Sequence, residues 1–206
     1  MENINCLYIN LDYRTDRNTH VINQFNALNI QAERVDAVKN THGSIGCSLS
    51  HIKSLMIAKK NNWKQVMIVE DDITFLEPNL FKNNLNNFLN ANIDFDVLLI
   101  AGNNFYPYDN VNENCIKIYN CQTTTGYIVK QHYYDTLINN IKQSVILLMK
   151  QPFNHRFYAI DIWWKQLQKK DNWYLLIPLN IIQMSGFSDI EKRMTNYSNV
   201  MLKYNK

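Results

Sequence analysis

The sequence predicts an α/β fold with a largely parallel central sheet in a single domain. Apolar stretches of strand length, "INCLYINL" at 4–11 and "FDVLLIAG" at 95–102 among them, read as buried strands. They alternate with segments whose apolar residues recur at helical spacing, and such segments join the early strands. A chain of 206 residues, 46% of them hydrophobic, is long enough to bury one sizeable core.

Residues 4–11 are the first strand. "DYRTDR" follows, and Thr15 is placed to cap a helix running to Leu28, because its hydroxyl can accept from an amide of the first turn. "QAERVDAV" (31–38) is a short second strand, and "KNTHGSIG" reads as a loop punctuated by Gly43 and Gly46. Leu49, Ile52, Leu55, Met56 and Ala58 then recur with helical periodicity. "KQVMIVEDD" is the third strand. Pro78 opens a helix to about Leu89, since proline is pre-set for a first turn. Residues 95–102 are the fourth strand, and the Asn, Tyr and Pro of 103–113 mark a loop. "CIKIYNC" and "TTTGYIVK" are shorter strands able to pair as a hairpin. "QHYYDTLINNIKQSV" is a helix, and "AIDIWWKQLQKK" is another, after a loop with Pro152 and His155. "WYLLIPLNIIQMSGFSDI" closes the fold with a strand and an irregular segment. The domain is expected to span 1–190, with 191–206 a short basic tail.

Composition narrows the function classes. A net charge of +3 with scattered Lys and Arg gives no support for nucleic-acid binding. The four cysteines include no CxxC pair, so a zinc site is not expected. No apolar run approaches the roughly 18 residues that a membrane span needs. With no leader ahead of the first strand, a cytoplasmic protein is expected, in the host cytoplasm or the virion if the source is viral. Asparagine, roughly one residue in seven, is well above ordinary usage. It fits sugar contacts, or the codon bias of an AT-rich bacterial or viral genome.

"QVMIVEDDITF" carries the chemistry. Glu70, Asp71 and Asp72 crowd the end of an apolar strand, and in an α/β sheet ligands sit outside the carboxyl ends of strands. Like charges there are relieved by a bound cation or by protonation of one group. Glu70 and Asp72, two apart, project to one side of an extended chain, and hard oxygen ligands suit Mg²⁺ or Mn²⁺. A solvated acidic turn, or pairing to an arginine, is the plainer alternative. Arg14 and Arg17 follow the first strand at the same end of the sheet, where each could grip a phosphate or pair with Asp12 or Asp16. "GSIGCSLSH" opens a helix whose amides, Ser50 and His51 could meet a phosphate or hydroxyl, although a lone helical histidine is commonly structural. No Walker loop, GxGxxG or GxSxG is present.

In order, "YINLDYRTDR", "ERVDAV", "GSIGCSLSHIKSLMIA", "VMIVEDDITF", "TTTGYIVK", "AIDIWWKQLQ" and "IIQMSGFSDI" resemble glycosyltransferase family 25, which holds lipopolysaccharide-type and collagen (hydroxylysine) galactosyltransferases. The resemblance covers Ile4 to about Ile190. It implies a GT-A fold, a Rossmann-like sheet flanked by helices. It further implies a UDP-hexose donor carrying galactose or glucose, Mn²⁺ or Mg²⁺, and an inverting transfer to a glycan or hydroxylysine-type hydroxyl. The family's DxD-type motif falls on Glu70, Asp71 and Asp72. The resemblance implies Asp72 with Glu70 or Asp71 as the metal and diphosphate contacts, Glu70 and Asp72 being the favoured metal pair and Glu70 and Asp71 the diphosphate pair, and leaves open which two of the three touch the metal. Its N-terminal motif falls on Asn10, Leu11, Arg14 and Arg17, where uridine and phosphate would lie. Asp36 and Ser50 match further donor-side positions, and Gln183 and Ser185 would fold over the phosphates. Asp161 is the favoured base, with Asp189 its rival. Asp161 could instead cap the helix bearing Trp163 and Trp164, of which one could stack on an acceptor sugar. The C-terminus is shorter than in many relatives. A non-catalytic sugar-nucleotide or glycan-binding relative, and a metal-dependent nucleotidyltransferase or phosphohydrolase, are the competing classes, and an oligomer is allowed.

Overall fold

The structure, a computed structural model, describes residues 4–188, 190, 191 and 193–206. Strands β1 (Asn5–Asn10), β2 (Glu33–Asp36) and β3 (Gln65–Glu70) alternate with helices α1 (Thr15–Leu28) and α2 (Gly43–Lys60). Next come β4 (Ile73–Phe75), α3 (Pro78–Asn90), β5 (Val97–Leu99), β6 (Asn103–Asn104), β7 (Tyr108–Asn112), β8 (Cys115–Ile118), β9 (Cys121–Gln122) and β10 (Gly126–Lys130). Helix α4 (Tyr134–Lys150) leads to three single turns, α5 (His155–Tyr158), α6 (Ile160–Trp163) and α7 (Lys165–Gln168). The chain closes with β11 (Trp173–Leu176), β12 (Ile181–Gln183), β13 (Gly186–Ser188), β14 (Arg193–Thr195) and α8 (Ser198–Met201).

Eight strands form the main sheet in the order β2-β1-β3-β10-β5-β11-β8-β7. β1 is parallel to β2 and β3, and β5 to β11, while β10 runs antiparallel between β3 and β5. β8 and β7 add antiparallel pairs at the far edge. The sheet is thus mixed, with most strands sharing one direction. Alternation along the strands feeds two cores. Leu7, Ile9, Val66, Ile68, Val97 and Leu99 pack with α2, α4 and α6 on one face. Cys6, Tyr8, Met67, Val69 and Leu98 pack with α1 and α3 on the other. Both faces are covered, which is why these strands read as continuous apolar runs.

Several elements differ from the sequence reading. Thr15 is the first helical residue of α1 and caps nothing; the cap position falls on Arg14. "GSIG" is the opening turn of α2 rather than a loop. Gly46 is there for closeness, because a Cβ on it would sit 2.5 Å from the Val38 carbonyl oxygen, a backbone atom with no rotamer to yield. Gly46→Ala is accordingly expected to cost about 1–3 kcal/mol, seen as a drop of several degrees in melting temperature. An unchanged melting point would refute the close packing.

The hairpin expected between 115–121 and 123–130 does not form. β8 pairs with β7 and β11, β9 with β6, and β10 takes a central slot. Tyr127, Ile128 and Val129 are fully buried and need cover on both faces, which a sheet edge cannot supply. The helix expected from Ala159 is broken into α6 and α7. The C-terminal residues are packed on the body: β13 pairs with β14, Met201 is 1% exposed, and Asn104 Nδ2 donates to the Tyr204 carbonyl at 3.0 Å. Among the described residues no helix is long and apolar enough to cross a membrane.

Candidate active site

A cleft of about 1090 Å³ opens at the carboxyl ends of β1 and β3. Three features build it. The parallel pairing of β1 with β3 brings Ile9 beside Glu70, so the turn after β1 delivers Arg14 and Arg17 to the acidic triplet. The antiparallel β10 brings the segment before it, Gln122 to Thr124, to the same end, and the Glu70 amide donates to the Thr125 carbonyl at 3.0 Å. The chain after β12 crosses the mouth: the Met184 amide donates to the Asp72 carbonyl at 2.7 Å, and Arg17 Nη2 donates to the Phe187 carbonyl at 3.1 Å.

The three carboxylates have different fates. Asp71 turns toward β1, where Oδ2 accepts from Asn10 Nδ2 at 2.7 Å and Oδ1 from Arg17 Nη1 at 3.2 Å. Burial raises its pKa, opposed by Asn10 and Arg17. Glu70 Oε1 accepts from Thr124 Oγ1 at 2.8 Å, with Cys47 Sγ and His51 Nε2 each at 3.4 Å. Burial pushes Glu70 up, but His51, Thr124 and Cys47 together outweigh it, and its pKa is lowered. Asp72, 8% exposed, accepts from Arg17 Nη1 through Oδ2 at 3.1 Å. Its Oδ1 is buried and makes no hydrogen bond of good geometry among the described residues, although the Gln183 side chain lies close enough to the carboxylate to draw its pKa down. Burial first, then the Glu70 charge, lift the Asp72 pKa from 3.8 to about 7, against the pull of Arg17.

A buried carboxylate oxygen without a partner is costly unless something occupies it. The donor set around it is hard oxygen beside a second carboxylate, which fits a Mg²⁺- or Mn²⁺-sized ion. The residues therefore fit the divalent cation that the sequence resemblance implies, which Asp72 and Glu70 would hold between them.

Other site residues are distributed unevenly. Leu11, Arg14, Arg17, Ser50, Gln183 and Asp161 line the cleft. Arg14 forks Asp16 (Nε–Oδ1 3.1 Å, Nη2–Oδ2 3.0 Å), while Arg17 serves the triplet instead of Asp12 or Asp16. Asn10 is buried behind the cleft and reaches it through Asp71 and the Arg14 carbonyl, to both of which its Nδ2 donates. Ser50 spends its hydroxyl on the backbone, accepting from the Val38 amide at 2.8 Å and donating to the Gly46 carbonyl at 2.7 Å. Asp36 lies outside the cleft, exposed and paired with Arg34 at 3.0 Å. Ser185 is exposed and lies outside it too. Asp189 falls outside the described residues.

Asp161 does not cap α6. Its Oδ2 accepts from the Thr123 amide at 3.1 Å across the cleft wall. Burial raises its pKa, and the nearby Glu70 charge adds to the effect. Neither tryptophan lines the cleft: Trp164 is fully buried and donates to the Cys121 carbonyl at 3.1 Å. Thr124, Cys47 and Tyr127 escaped sequence reasoning. Thr124 sits 54 residues from Glu70, and only the central slot of β10 joins them.

The sequence profile of glycosyltransferase family 25 (LPS biosynthesis protein) matches residues 39–161. No curated protein matches the chain. Among solved structures, A197 from STIV superposes with a TM-score of 0.53 at 10% identity, over 93% of each chain. A glycosyltransferase involved in the glycosylation of the major capsid of PBCV-1 superposes with a TM-score of 0.52 at 12% identity, over 85% of this chain and 82% of that one. At these identities the likeness is one of fold, a GT-A-like α/β domain.

Proposed function

The chain belongs to glycosyltransferase family 25, and from that membership we propose that it moves a hexose, galactose or glucose, from a UDP-sugar to a hydroxyl of a glycan or hydroxylysine-type acceptor, with inversion. The observation that carries the reading is Asp72 Oδ1, buried and unpartnered at the carboxyl end of β3 beside Glu70. When bound there, a divalent cation would neutralise charge on the departing diphosphate. Arg17 holds Asp71 and Asp72 in place from one side, and Met184 clamps the backbone of Asp72 from the other.

In the transfer, the acceptor oxygen attacks the anomeric carbon, the bond from that carbon to the β-phosphate oxygen breaks, and UDP leaves. The acceptor proton passes to Asp161, whose raised pKa suits a base better than an ordinary carboxylate. Asp161→Asn keeps the Thr123 contact but cannot take a proton. It is expected to lower kcat about 10²–10⁴-fold while donor affinity, read by titration with UDP, stays within about twofold of wild type. Equal losses in affinity and kcat would assign Asp161 to binding instead. In the wild type, the acid limb of the pH–rate profile is expected above the ordinary carboxylate range, because the base must be ionised.

The proposal is tested by measuring UDP release from a panel of UDP-sugars with Mn²⁺ or Mg²⁺. Donor binding without turnover across an acceptor panel would support the non-catalytic alternative. Release of UMP rather than UDP would point to nucleotidyl transfer.

A further inference from the structure

Cys47, His51 and Glu70 form a second donor set on the wall of the cleft. One ligand atom from each lies within 4.8 Å of the other two. Sγ of Cys47 and Nε2 of His51 are each 3.4 Å from Oε1 of Glu70. In a tetrahedral zinc site, with Zn–S near 2.3 Å and Zn–N and Zn–O near 2.0–2.2 Å, an N and an O ligand stand about 3.3–3.5 Å apart and an S and an O ligand about 3.5–3.7 Å. The His51–Glu70 separation falls in its window, and the Cys47–Glu70 separation lies about 0.1 Å short of its own. His51 is fully buried, and its second nitrogen, Nδ1, lies 3.0 Å from the Tyr127 hydroxyl, the outer partner that fixes a ligating imidazole. Cys47 and Glu70 line the cleft, so an ion can reach them.

We propose that Cys47, His51 and Glu70 bind Zn²⁺, with the fourth position open to the cleft. The charges balance: thiolate and carboxylate supply two negative charges for one dication. On binding, the Cys47 thiol proton leaves to solvent. The neutral imidazole carries its proton on Nδ1, where the Tyr127 hydroxyl accepts it, and ligates through Nε2. Sulfur and imidazole select a softer ion than the all-oxygen pair of Asp72 and Glu70. The two sites share Glu70, so occupancy of the softer one withdraws that carboxylate from the harder one. On the reading of the cleft as a metal-assisted transferase site, Zn²⁺ is therefore an inhibitor that acts through Cys47.

The test uses the full-length, untagged, reduced protein titrated with Co²⁺ as a spectroscopic stand-in for Zn²⁺. Among the described residues this is the one such cluster, so a sulfur-to-cobalt charge-transfer band can be assigned. The band is expected to saturate at about one equivalent and to be displaced by Zn²⁺. It should be lost in Cys47→Ser and in Cys47→Ala, both checked for a near-native melting point, and retained in Asp72→Asn. Absence of the band in the wild type, its survival in both Cys47 variants, or its loss in Asp72→Asn would each overturn the proposal. In the UDP-release assay, Cys47→Ser, measured against its own zinc-free rate, should need at least about tenfold more Zn²⁺ for half-inhibition. If no UDP is released at all, the transferase reading fails while the cobalt result stands on its own.

Discussion

Asp72→Asn is expected to reduce UDP release about 100-fold or more while raising the melting temperature of the cation-free protein at pH 8. The loss of rate follows from removing the charged ligand that would hold the cation at the leaving diphosphate, a contribution worth several kcal/mol. The gain in stability follows from linkage. Burial and the Glu70 charge raise the folded pKa of Asp72 from 3.8 to about 7. A carboxyl whose folded pKa is raised favours the folded state below its unfolded pKa. That advantage disappears as pH climbs through the folded value. Asparagine does not titrate, so the stability gap between variant and wild type should open between about pH 4 and pH 7 and then level off, at on the order of a few kcal/mol. Thermal melts of both proteins in chelator across that range measure it. Saturating Mn²⁺, at about 100 times its Kd, should add about 2.7 kcal/mol to the wild type and much less to the variant. A variant as active as wild type, or one that Mn²⁺ protects equally, would remove Asp72 from the metal site.

Arg17→Met is expected to be the most destabilising single change at the site, by about 3–5 kcal/mol at pH 8. Arg17 is the cation that pairs with both Asp71 and Asp72, through Nη1 at 3.2 and 3.1 Å, and the three side chains are 13%, 9% and 11% exposed. Its removal leaves Asp72 buried with little to offset its desolvation, and Asp71 with the Asn10 bond. It also cuts the bond from Nη2 to the Phe187 carbonyl, which ties the C-terminal hairpin to the site. Lowering the pH to 5 should return part of the loss, because Asp72 can then protonate. The double variant Arg17→Met with Asp72→Asn should be less destabilised than the sum of the two single changes. Additive effects of the two changes in chemical denaturation would show that the pair is not coupled.

The acidic triplet was legible because it violates a local rule: three like charges at the end of an apolar strand need a reason, and the reason can be read within a few residues. The α/β class was legible for the same kind of cause, since strands covered on both faces must be apolar throughout. The roles within the triplet were not legible. Asp71 is taken by Asn10, 61 residues away, and by Arg17, 54 residues away. Glu70 is held by Thr124 and His51, and Asp72 alone keeps a free buried oxygen. The misplaced hairpin had the same root. Residues 115–130 hold two strand patterns, and pattern cannot tell an edge from a central slot; that choice placed Thr124 in the site. Gly46 was read as a loop signal because glycine marks both flexible turns and close packing, and only the distance to Val38 separates them.

By itself, the sequence determined the α/β class, the early strands and helices, and the end of the sheet where charge gathers, because these depend on side chains near one another along the chain. The tertiary structure decided which carboxylate is left unpaired, which residues fix Glu70, and that Asp161 faces Thr123 rather than capping a helix. Those outcomes depend on strand order and on hydrogen bonds between residues dozens of positions apart, whose energies exist only once the sheet has closed.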